Sequence, residues 1–336
     1  MSISNALFPS HTDTGAGTRH VVACLDRSEQ AAGNVSHAFA IAQALAVPVT
    51  LLQVLEARSD REARPDPLEW DLRRHEARRL LGELAARRSS SKIARVRLAE
   101  GASAEEICKF AHKEPDCLLV LGTRGENGSS RNGLGGTAHK VLDRATGSIL
   151  LVPIAACAVP APTYRRILVP MDGSTWAESV VPLATRIARS AQAELILAHV
   201  VPMPEFTETR PLGRRDLNLR RDVVERNEQT ARAYLDRVSC YIAAMGLDVR
   251  TVSMRSEDAR SALAEMIRAE AADLVVMSAS GHGGRHHADV PYGSMTAYLM
   301  THSAAPMLIV RPSATAPDSM AAPDTQRARL PVAGHI

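Results

Sequence analysis

Asp116-Cys117-Leu118-Leu119-Val120-Leu121-Gly122-Thr123-Arg124-Gly125 is the stretch whose reading decides the fold. Cys117 to Leu121 is a short apolar run between polar residues, as in a parallel strand covered on both faces, and it stops abruptly at a glycine turn. Glycines recur at Gly128, Gly133, Gly135 and Gly136, and Thr137-Ala138-His139-Lys140-Val141-Leu142 then resumes a helix-compatible pattern. Backbone without side chains can approach an anion closely, and free N–H groups at the following helix start point at it, so this stretch suits a phosphate. Alone, the same loop reads equally well as a flexible strand-to-helix connection.

Repetition separates the two readings. A second apolar run, Leu274-Val275-Val276-Met277, leads through Ser278-Ala279-Ser280-Gly281-His282-Gly283-Gly284 to Gly293-Ser294 and another helix-like segment. Upstream, His20 to Leu25 is a strand candidate ending at Asp26, with Ser28 placed to cap the helix that carries Val35, Phe39, Ala42 and Leu45. Arg166 to Met171 likewise ends at Asp172, with Ser174 as the cap of a helix carrying Val180, Leu183 and Ile187. Asp26 and Asp172 are 146 positions apart, and so are Val54 and Val200, which close the strands that follow. An unchanged offset across strand, helix and strand means a duplicated unit.

At 336 residues the chain is long enough for two domains, each burying its own core. Aromatic content of only 3% leaves Val, Leu, Ile and Ala to build those cores, as in parallel α/β sheets. A net charge of +3 gives no reason to expect nucleic acid, and the run Arg73-Arg74-His75-Glu76-Ala77-Arg78-Arg79 reads as the solvated face of a helix. The five cysteines are odd in number and unclustered, which fits free thiols in a reducing compartment. Without a membrane-length apolar run or a leader-like amino terminus, a soluble cytoplasmic protein is expected.

The expected division is a flexible amino terminus over residues 1–18, a first domain over 19–153, a linker over 154–164, a second domain over 165–311 and a disordered tail over 312–336. In the first domain, helices are expected over 68–88 and, capped by Ser103, over 103–113, with a strand over 93–98 between them. In the second, a long helix is expected over 217–245. Strands alternating with helices imply right-handed crossovers and a ligand at the carboxyl ends of the strands.

A strand ending in Asp-x-Ser, a helix, a strand Leu-Leu-x-Val, and Gly-x-x-Gly followed by nine residues and a Gly-Ser pair together resemble the universal stress protein family, here in tandem. The resemblance implies two doubly wound parallel five-stranded sheets of order 3-2-1-4-5, akin to adenine-nucleotide α-hydrolases. It also implies ATP, with or without Mg²⁺, in a cleft between the first and fourth strands, and action in stress response through conformation or a protein partner. Carried over, Asp26 would sit by the ribose and phosphates, Val54 would meet the adenine, and Gly122, Thr123, Arg124 and Gly125 would line the ribose and phosphate path. Gly135, Gly136 and Thr137 would follow. Gly136 stands where the family carries Ser or Thr, so a hydroxyl for the distal phosphates is missing unless Thr137 turns inward. In the second half Pro170, Asp172, Val200, Met277, Gly293 and Ser294 match. Ser278 replaces the first glycine if strand register rules, with Gly281 as the second; if loop spacing rules, the second glycine is Gly283.

His282, His286, His287 and Asp289 crowd the second loop, but such loops are more often simply polar, and no metal site is assigned. His199 reads as a core or cleft histidine donating a hydrogen bond. No nucleophile, base and orienting-acid set is evident, and a Walker-type loop is absent, which leaves at most slow ATP hydrolysis. The alternatives are an interaction module of the same fold that binds no nucleotide and an ATP-pyrophosphatase-like enzyme. The latter would need Ser-Gly-Gly-x-Asp-Ser after the first strand, where Leu25-Asp26-Arg27-Ser28 stands. Association of two chains into a homodimer stays open.

Overall fold

The computed structural model describes residues 18–28, 30–56, 66–86, 94–125, 133–158, 161–204, 213–281 and 291–311. The first half runs β1 His20–Leu25, α1 Ala31–Leu45, β2 Val49–Leu55, α2 Pro67–Ala86, β3 Ala94–Glu100, α3 Ser103–Lys113, β4 Cys117–Gly122, α4 Gly136–Arg144 and β5 Ser148–Val152. A short helix, α5 Ile154–Cys157, follows. The second half runs β6 Arg166–Pro170, α6 Thr175–Ser179, α7 Val181–Ala191, β7 Glu194–Pro202, α8 Arg214–Ala243, β8 Val249–Ser256, α9 Ala259–Ala269, β9 Leu274–Ser278, α10 Ser294–His302 and β10 Met307–Val310.

Each half is the expected parallel five-stranded unit, ordered β3-β2-β1-β4-β5 and β8-β7-β6-β9-β10. The two units do not stand apart. β5 pairs antiparallel with β10 through Leu151–Met307, Leu150–Leu308 and Ile149–Ile309, giving one ten-stranded sheet. Leu150 and Leu308 are equivalent positions, 158 residues apart like Gly135 and Gly293, and they face each other across the ladder. An internal two-fold axis therefore passes through this pair.

Alternation along the strands explains how both faces are covered. In β1, Val21, Ala23 and Leu25 point to one side and Val22 and Cys24 to the other, and all five are buried. Side chains of the first kind join α1, α2, α7 and α8 in one core, where Ile41 and Leu45 lie with Leu183 and Ile187. The second kind join α3, α4, α9 and α10 in the other, where Ile107 and Leu142 lie with Met266 and Leu299. Both cores run through both halves.

Two caps differ from expectation. Ser103 is the first residue of α3 rather than its cap, and its N–H donates to Glu56 Oε1 at 2.5 Å. Ser28 does not cap α1, which begins later, at Ala31, behind Gln30. Ser174 does cap α6, accepting the Ala177 N–H at 3.1 Å.

The expected linker is in part structured. α5 lies across α1 at Gly33, where a Cβ would come within 2.5 Å of the Cys157 backbone. His37 of α1 is 2% exposed; its Nδ1 lies 2.9 Å from the Tyr164 hydroxyl and its Nε2 lies 3.2 Å from the Ala156 carbonyl. Burial lowers the His37 pKa. Residues 1–17 and 312–336, expected to be flexible or disordered, lie outside the described residues. Among the described residues, no helix is long and apolar enough to cross a membrane.

Candidate functional site

The carboxyl ends of β1 and β4 meet in the first half, and those of β6 and β9 in the second. Asp26 leaves β1 in a tight turn: its Oδ1 accepts the Ser28 N–H at 3.0 Å and the Ser28 hydroxyl at 2.5 Å. Asp172 repeats this with Ser174, at 2.9 and 2.6 Å. The serine in Asp-x-Ser therefore holds one carboxylate oxygen, which fixes where the other points.

The other oxygen faces the glycine loop. A Cβ on Gly125 would lie 2.7 Å from Asp26 Oδ2, and one on Gly281 would lie 2.6 Å from Asp172 Oδ2. Any side chain at either position would collide with the carboxylate or displace it. The same contact decides the register of the second loop: Gly281, not Gly283, is the counterpart of Gly125. The loop closures agree, since Gly135 N–H donates to the Thr123 carbonyl at 2.7 Å and Gly293 N–H to the Ala279 carbonyl at 2.8 Å. Eleven residues then separate Gly281 from Gly293, against nine between Gly125 and Gly135. Gly283, His282, His286, His287 and Asp289 lie outside the described residues.

The remaining expected residues fall around these two turns. Gly122 ends β4, and a Cβ there would lie 2.9 Å from Asn34 Nδ2. Thr123 N–H donates to the Val152 carbonyl at 2.9 Å, tying the loop to β5, and Arg124 is half-buried beside it. Val54 and Val200, near the ends of β2 and β7, are half-buried and pack on the same core face. Pro170 ends β6, whereas Met277 is buried in the core. Ser278 is also buried, and its Oγ accepts the Ser280 N–H at 3.3 Å. Gly136 and Ser294 are equivalent exposed first residues of α4 and α10. Thr137, the next residue of α4, is exposed.

Three contributors were not visible as site residues in the sequence. Asn34, 4% exposed on α1, touches Gly122, and only its polarity on a buried helix face could have flagged it. Cys157 arrives from α5 with its Sγ 3.7 Å from Asn34 Oδ1; burial, then the nearby Asp26 charge, push its thiol up to about 11. Thr296, buried on α10, donates to the Ser278 and Ala279 carbonyls at 3.3 Å and so holds the second loop. His199 Nδ1, as expected, is a donor, reaching the Met171 carbonyl at 2.6 Å. Among the described residues no group of three or more His, Cys, Asp or Glu could hold a metal ion.

The Universal stress protein family model matches residues 17–153 and 163–311, and the chain belongs to that family. A universal stress protein from Archaeoglobus fulgidus is similar over 88% of this chain and 98% of its own, at 18% identity and a TM-score of 0.61. A functionally unknown protein from Pseudomonas aeruginosa covers 88% and 93%, at 16% identity and a TM-score of 0.60. These two likenesses concern the fold. A universal stress protein described as in complex with cAMP covers 45% of this chain and 100% of its own, at 23% identity and a TM-score of 0.34. No functionally curated protein matches the chain.

Proposed function

We propose that the chain binds an adenine nucleotide, ATP, in the β1/β4 cleft of the first half and the β6/β9 cleft of the second. It then acts in stress response through its conformation or a protein partner. The observation that carries this reading is the doubled contact between a strand-end carboxylate and a glycine, Asp26 with Gly125 and Asp172 with Gly281. Each cleft has backbone kept bare at the point of closest approach, a helix start one loop further on, and a carboxylate aimed by a serine. Such a cradle suits a phosphate chain on the N–H groups and a ribose hydroxyl on the carboxylate. A Mg²⁺ ion, if carried, would be held mainly by the phosphates and water, since three-ligand protein clusters are lacking among the described residues.

Among the described residues, the side chains at the clefts offer no nucleophile with its base, so any hydrolysis would be slow positioning chemistry. The five cysteines are all free thiols, in keeping with a reducing cytoplasm. Mass spectrometry of the native purified protein tests the reading directly: retained or added ATP should appear as one and two mass increments. A protein that takes up no nucleotide at millimolar ATP would instead be an interaction module of the same fold.

A further inference from the structure

Helix α4 begins at one proposed site and ends beside the other. Gly136 and Thr137 at its start follow the first glycine loop, and nine residues carry the chain about 13 Å along the helix axis. Because β5 and β10 run antiparallel, the end it reaches is the one where the second-half loop emerges.

There the second half holds the last turn of α4. The Arg311 guanidinium donates from Nη1 to the Ala145 carbonyl and from Nη2 to the Leu142 carbonyl. These are carbonyls at a helix end, where partners within the helix run out and a cation complements the macrodipole. Arg311 directly follows Val310, whose carbonyl accepts the N–H of Ala279 in the second loop at 2.9 Å. The Ala279 carbonyl in turn accepts the N–H of Gly293 at 2.8 Å, which closes that same loop. Within α4, Asp143 Oδ2 is 2.9 Å from His139 Nδ1, one turn nearer the first site. The residue that follows the second loop's partner strand thus grips the end of the helix whose start frames the first loop.

We infer that Arg311 is a positioning residue that couples the two sites: a phosphate held where Ala279 and Gly293 meet the end of β10 fixes Arg311 against α4, and with it the N–H groups offered to phosphate in the first site. The inference rests on the nucleotide reading above. By linkage the effect is reciprocal, and the sites bind ATP with positive cooperativity.

Calorimetric titration of the full chain tests it. Gly125→Val and Gly281→Val each leave one site, and the product of their two ATP association constants is the value expected for independent sites. Wild type should exceed that product by about fivefold or more. Arg311→Met loses both bonds to the end of α4, while Arg311→Lys keeps a cation there. Arg311→Met should bring the excess to within about twofold, and Arg311→Lys should keep part of it. Adenosine, which lacks phosphates, should show no excess in any variant. A purely structural role would lower the melting temperature while leaving the excess intact, and that result overturns the inference. So does a wild type whose two sites bind independently. Binding at neither site would overturn the nucleotide reading as well.

Discussion

Gly125 and Gly281 are the positions at which a single substitution says most. A Cβ at either lies under 3 Å from an aspartate oxygen, so Gly125→Val should abolish ATP binding in the first half and Gly281→Val in the second. Binding stoichiometry checks this: each variant should bind one ATP where wild type binds two, and a variant that still binds two would reject the assignment. Gly136 carries the opposite prediction. One charge-assisted hydrogen bond to phosphate contributes about 1.5 to 3 kcal/mol, so Gly136→Ser should tighten first-half ATP binding by roughly tenfold or more. AMP should be nearly unaffected, because the new hydroxyl would face the distal phosphates. Equal ATP affinity in wild type and in the Gly136→Ser variant would place that contact elsewhere. At this scale the sequence was legible where one residue type has one use. Asp-x-Ser marked the turn, but not that Ser28 binds its own aspartate instead of capping α1, because a Ser before a helix suits both and only the helix start at Ala31 separates them.

At the scale of elements, α5 shows what local pattern cannot carry. Four residues hold no periodicity, and the proline-marked segment around them reads as a linker. What seats α5 lies more than a hundred positions earlier: Gly33 leaves the space it crosses, and His37 meets Ala156 and Tyr164. Gly33→Ala should therefore lower stability by about 1 to 3 kcal/mol, read as a drop in denaturation midpoint, since the methyl would press on Cys157 backbone. An unchanged midpoint would mean that α5 is not held there. Acid should act on the same contact. Burial holds the His37 pKa below its ordinary 6.5, so below that pH the unfolded chain takes up a proton that the folded chain resists, and stability falls. His20, also lowered mainly by burial, adds to the same limb. His37→Gln should flatten the loss of stability between about pH 7 and pH 5 without removing it. Denaturant melts across that range test it, and a slope identical to wild type would show that His37 protonates freely in the folded protein.

For the molecule as a whole, each half was legible because strand, helix and strand repeat at a fixed offset. The seam was not. Ile149 to Leu151 and Met307 to Ile309 are apolar runs like any buried strand, and nothing in such a run names its neighbour. The second-loop register was ambiguous for a related reason: its extra glycines satisfy two spacings, and only the contact with Asp172 separates them. Because both cores and the β5/β10 ladder cross the seam, severing the chain between residues 158 and 161 should not part the halves. A protease site placed there should yield two bands under denaturing conditions and one particle of intact mass in native size exclusion. Halves that elute separately would show the seam to be weak.

The antiparallel seam also decides what the protein can present to others. Each half opens its cleft at the carboxyl ends of its own strands, so the two clefts look out from opposite rims of one sheet. No flat surface can cover both. The pairing edge that a lone unit would offer to a second copy is already taken up inside the chain, while the outer strands β3 and β8 remain at the far margins. The chain thus carries its two strand-end clefts on opposite rims of one continuous sheet.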